Sequence, residues 1–160
     1  MTYCLYFLFL ISYLLTLIYI YMTAYLIQFL LSFSVVLFFV TFVMKIPHQI
    51  TNQPSLVNDY YFKHFNTSVP LDFILVFLYL QAAEYIIHVT NVKNIAKQTT
   101  IVAGVTALLT TGFCYYFRAM PLSSTFFSKW FHSAGYLSVL YDIILLVTTY
   151  IVMKYLQNIV

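Results

Sequence analysis

From Thr2 to Met44 the chain carries no charged side chain at all. In water a stretch of that length would have no polar face to turn outward, whereas in a bilayer an apolar surface is what the solvent requires. Backbone groups in lipid must find their hydrogen bonds within the protein, and these runs lack the strict alternation of barrel strands, so helices are expected. One continuous helix over residues 3–44 would be about twice as long as a hydrocarbon core is thick. Two spans are therefore expected, about 3–20 and 24–44, with a turn around Tyr21 to Thr23. No Gly, Pro or charge marks that turn, so a single long tilted helix is the alternative. No Lys or Arg precedes the apolar run and no small-residue cleavage site follows it, which argues against a secretory signal peptide.

The rest of the 160-residue chain extends the same reading. It is 63% hydrophobic and 7% charged, where soluble domains carry about a quarter charged residues. The expected fold is an all-α, polytopic transmembrane helical bundle, with residues 1–160 forming a single domain of about five spans, or four if residues 3–44 form one helix. The remaining spans are expected at about 70–90, 99–117 and 135–155. Pro70 suits a first helical turn and Asp72 the positive helix end, which sets the start of the third span. Residues 45–69 hold Pro47, Pro54 and several Asn and read as the largest extramembrane loop, in which Ser55 is positioned to cap a short amphipathic turn. Asn66-Thr67-Ser68 matches the glycosylation acceptor pattern. Lys93 and Lys97 fall in a short loop over 91–98.

Between the last two spans, Leu122, Phe126, Phe127, Trp130 and Phe131 gather on one helical face. This predicts an interfacial amphipathic helix anchored by Phe126, Lys129, Trp130 and Phe131, with Trp130 at headgroup level and Ser124 and Ser128 turned away from the apolar side. Lys154 is expected to snorkel at the end of the last span. Five spans place Lys45, Lys63, Arg118 and Lys129 on one side and Lys93, Lys97 and Lys154 on the other, a division too even to set orientation. In the 99–117 span, Ala103, Gly104, Ala107 and Thr111 recur at spacings of three and four. Such a stripe lets another backbone approach closely, and this helix is expected to be the central packing element.

Ionisable groups inside a membrane are costly and mark candidate sites. Glu84 and His88 lie one turn apart on one helix face, where they can share a proton or hydrogen bond. Asp142 enters the last span at the depth where Arg118 ends its neighbour, so an Asp142–Arg118 pair is expected, with Asp72 as the alternative acid. No metal site is expected, and the chain's only acids, Asp59, Asp72, Glu84 and Asp142, are too few for a di-iron bundle. No nucleophile elbow, phosphate loop, zinc-protease helix or Cys-x-x-Cys is present. Cys4 and Cys114 read as membrane-buried free thiols. The scattered net charge of +3 gives no stripe for nucleic acid. Neither a cofactor nor a small-molecule substrate is implied.

The stretches Asn58-Asp-Tyr-Tyr-Phe, Pro70-Leu-Asp-Phe-Ile-Leu-Val-Phe-Leu-Tyr-Leu and Phe127-Ser-Lys-Trp-Phe to Tyr141-Asp-Ile-Ile-Leu-Leu resemble small polytopic proteins of the nucleocytoplasmic large DNA viruses. That resemblance covers the C-terminal two thirds and implies residence in a virion's internal membrane or a host membrane. The skew toward Phe, Tyr, Ile and Leu also fits an AT-rich coding sequence, which keeps a mitochondrial inner-membrane complex open. The reading that follows is a non-enzymatic structural or assembly subunit, partnered by lipid and by other membrane subunits or further copies of itself. The rivals are a proton-coupled channel or carrier using Glu84, His88 and Asp142, and an accessory subunit of a mitochondrial complex.

Overall fold

The computed structural model describes residues 23–158. The span expected over 3–20, Cys4, and the turn residues before Thr23 lie outside the described residues. Among the described residues, four helices are long and apolar enough to cross a membrane: α1 (Thr23–Val43), α4 (Phe65–Val89), α5 (Ile95–Ala119) and α7 (Leu137–Gln157). Between α1 and α4 the chain forms two short helices, α2 (Ile46–Thr51) and α3 (Pro54–Asn58), followed by one wide π-helical turn, Asp59–Lys63. A nine-residue helix, α6 (Phe126–Ala134), precedes α7. The described residues contain no strand, and the protein is an all-α integral membrane protein.

α5 is the central helix, packing most extensively on α7 and next on α4. Its buried face is Val102, Thr106, Thr110 and Cys114, one residue per turn, set against Tyr141, Leu145, Thr149 and Met153 of α7. Hydroxyls on these faces satisfy themselves locally: Thr106 donates to the Val102 carbonyl at 2.8 Å and Thr149 to that of Leu145 at 2.7 Å. Such internal bonds let polar side chains face a lipid-embedded interface without an unmet donor. α1 joins α4 through rings. Tyr25, Phe29 and Phe33, each four residues apart, interleave with Phe73 and Phe77, the tightest pair being Phe33–Phe73 at 4.7 Å, edge to face. Each such pair adds about 0.5–1.5 kcal/mol beyond area burial.

The expected stripe on α5 is displaced. Ala103 and Ala107 are half-buried, while Gly104 and Thr111 are exposed, and a Cβ at Gly104 would meet no atom within 4 Å. The internal packing face lies one step round the helix because Thr106 and Thr110, not the smallest residues, carry the polar groups that must be turned inward.

α4 starts at Phe65 rather than Pro70. The His64 carbonyl accepts from the Thr67 and Ser68 amides, at 3.0 and 2.9 Å, which closes a turn ahead of the proline. Pro70 then lies inside the helix, in its second turn, where it leaves the Asn66 carbonyl without the amide of an ordinary helical residue. Asp72 is consequently two turns into the helix instead of at its positive end, and Asn66-Thr67-Ser68 occupies the first turn. α5 likewise starts early, at Ile95, because the Asn94 side chain caps it by accepting from the amides of Ala96 and Lys97.

Residues 45–64 pack onto the bundle end. Leu56, Val57, Tyr60 and Tyr61 are buried. Ser55 caps nothing, since Pro54 opens α3 and the preceding Gln53 makes no side-chain cap. α6 also departs from the interfacial reading: Trp130 and Phe131 are only 6% and 5% exposed, and Ser128 is buried. Phe131 stacks on Phe117 at 5.5 Å, and Trp130 stacks on Phe126 at 5.8 Å. The apolar side of α6 faces protein, leaving Lys129 outside. Gly135 ends α6 at φ 55°, where a Cβ would lie 2.9 Å from Arg118 Nη1.

Candidate functional site

α4, α5 and α7 line a partly open cavity of about 210 Å³ beneath α6 and the Asp59–Lys63 turn. That is room for about seven waters. α4 contributes Asp72, Val76 and Tyr79 at helical spacing, and α7 contributes Tyr141, Asp142 and Leu145. Phe113 and Phe117 of α5, Phe126, Phe127, Trp130 and Phe131 of α6, and Tyr60 and Tyr61 complete an aromatic wall.

Two carboxyls from different helices therefore face one apolar space. Tyr60 donates its hydroxyl to Asp72 Oδ1 at 2.6 Å and also reaches the Ser68 carbonyl at 3.1 Å. Its ring lies stacked on Phe126 at 3.6 Å, which fixes the hydroxyl direction. Thr110 donates to Asp142 Oδ2 at 2.7 Å, and the Tyr79 hydroxyl lies beside the same threonine. Tyr141 makes looser hydroxyl contacts of 3.4 Å with both Tyr61 and Thr41. Burial, reinforced by the Asp72 carboxyl, raises the Tyr60 phenol far above its ordinary range, and burial does the same for Tyr61 beside Tyr141. Both remain neutral donors at any ordinary pH.

The other expected site residues fall elsewhere. Glu84 does not meet His88; its Oε1 pairs with Lys154 Nζ at 2.8 Å, both side chains being about one quarter exposed. Lys154 thus turns inward instead of snorkelling, and also sits 5.1 Å over the Tyr150 ring. His88 is exposed in the last turn of α4. Arg118 does not pair with Asp142. Its guanidinium lies 5.4 Å over the Tyr136 ring. Cys114 is buried as a free thiol, and among the described residues no three His, Cys, Asp or Glu side chains group as metal ligands.

Sequence reasoning placed Asp72 and Asp142 individually and missed their convergence, along with Tyr60, Tyr61, Tyr79, Tyr141 and Thr110. One signal was present: Thr106 and Thr110 sit one turn apart in an apolar helix, as a hydroxyl facing an acid requires. The chain matches no protein-family model, no curated protein and no solved structure.

Proposed function

We propose that this is a non-catalytic membrane protein that holds a small, largely apolar molecule in the cavity between α4, α5 and α7. The observation that carries the reading is the convergence of Asp72, Asp142 and their hydroxyl donors on one aromatic-lined space. An apolar pocket with a few convergent polar groups is the usual form of a small-molecule site, and ionisable groups at membrane depth are seldom retained without a task. The competing Glu84–His88 relay lacks support, because Glu84 is committed to Lys154.

The test is native mass spectrometry of protein extracted from its membrane in mild detergent. Wild type should carry a small-molecule adduct that is missing from Leu75→Trp, a variant that fills the cavity. Identical spectra from two equally folded proteins would overturn the reading.

A second role, as a packing subunit, is supported by the outer side of α5. Gly104 and Gly112 are exposed there, with no atom within 4 Å of a Cβ at either position. The two glycines leave hollows on either side of Leu108, which is 75% exposed, and such a knob between hollows is a surface on which another membrane helix can seat. The patterning resemblance described above favours a virion membrane for such an assembly, and fractionation of the native source checks this. Gly104→Leu should then lower the assembled mass in detergent while leaving ligand binding intact.

A further inference from the structure

We infer that the molecule held in the cavity carries an organic cation, an amine or quaternary ammonium group seated between Asp72 and Asp142. This rests on the binding reading above. Every Lys, Arg and His of the chain lies within the described residues, and none forms an ion pair with either acid. The two ion pairs present are Lys63–Asp59 and Lys154–Glu84. Each cavity acid also spends only one oxygen on the protein, Asp72 Oδ1 on Tyr60 and Asp142 Oδ2 on Thr110. Among the described residues, Asp72 Oδ2 and Asp142 Oδ1 receive no hydrogen bond. Two acceptors, one from α4 and one from α7, therefore line the space without a countercharge from the described residues, although unpaired acids in apolar surroundings are expensive.

The lining decides which cation fits. A hard metal ion needs six or more oxygen ligands, and here two carboxyls stand among phenyl, phenol and indole rings. Ring faces attract ammonium groups, and aromatic cages with an acid are how proteins take quaternary ammonium ligands. An anion would find no positive group on the walls. The volume of about 210 Å³ suits a head group with a small apolar body. Such a head can belong to a lipid or to a free amine, since the two share this chemistry.

The probe is benzyltrimethylammonium, compared with its uncharged carbon isostere neopentylbenzene and with benzylsulfonate. Trp130, the single tryptophan of the chain, lines the cavity, so its fluorescence reports occupancy in neutral detergent without a label. Saturable quenching is expected for the cation, with an apparent Kd at least tenfold lower than for the isostere, and none for the sulfonate. Asp72→Asn and Asp142→Asn should each weaken the cation at least tenfold and leave the isostere unchanged. Equal binding of cation and isostere to wild type overturns the cationic assignment while the cavity-binding reading stands, and needs no variant to fold. Saturable binding of none of the three overturns both. Cation binding indifferent to both Asn variants also overturns the assignment. In nanodiscs, suppression of the cation signal by phosphatidylcholine but not by phosphatidylglycerol identifies a lipid head as the source; equal signals identify a free amine, and either result supports the assigned chemistry.

Discussion

Replacing Tyr60 with Phe removes one hydroxyl and nothing else. The ring stacked on Phe126 at 3.6 Å stays, so the change isolates what one hydroxyl proton does: it lies 2.6 Å from Asp72 Oδ1 and 3.1 Å from the Ser68 carbonyl, and the shorter contact is the principal bond. One bond to a charged acceptor contributes about 1.5–3 kcal/mol, so that is the expected loss. Hydrogen bonds between membrane helices average only about 0.6 kcal/mol, because the unfolded chain in lipid finds other partners. Tyr60 lies outside the spans, on the Asp59–Lys63 turn, where the unfolded reference is water and that discount is smaller. Reversible unfolding in mixed micelles, followed by far-UV circular dichroism, gives the number. A double-mutant cycle with Asp72→Ala, which removes the acceptor, separates the carboxyl bond from the carbonyl contact. A Tyr60→Phe loss below about 0.6 kcal/mol, with no coupling to Asp72, would refute the claim that this turn is fastened to α4 through its hydroxyl.

Three further outcomes follow from the same geometry. Trp130→Ala should cost about 3 kcal/mol or more in the same unfolding assay, as for a truncated core aromatic; a headgroup anchor would leave the folded bundle nearly as stable as before. Lys154→Met should cost about 1–3 kcal/mol, because it leaves the mostly buried Glu84 without its countercharge, and adding Glu84→Gln should recover most of it. The contribution of Tyr60 and Tyr61 to stability should be constant below pH of about 10 and fall above it: unfolded tyrosines release protons there, while these two, whose phenols are raised by burial, keep theirs. Tyr61→Phe should flatten that alkaline slope, measured as unfolding free energy against pH.

The helical class was legible because lipid leaves a chain few ways to satisfy its backbone, and an uncharged run from Thr2 to Met44 leaves it few solvents. The partnering of side chains was not. Glu84 and His88 are neighbours along one helix, but Lys154 arrives from α7 with a full charge and takes the acid. Pro70 reads as a helix start only while the His64 carbonyl, which closes the earlier turn, is unseen. An amphipathic face such as that of α6 has the same sequence whether lipid or protein covers it, so the burial of Trp130 had to come from the fold. Small residues mark where a backbone can approach, and Gly104 and Thr111 are exposed on a side of α5 that the described residues do not cover.

The polar stretch between α1 and α4 supplies one wall of the cavity, through Tyr60 and Tyr61, while also being the part most tempting to edit. Epitope tags or fusion partners spliced into positions 54–63 would unseat the acid on α4, even though hydropathy marks that stretch as a dispensable connector.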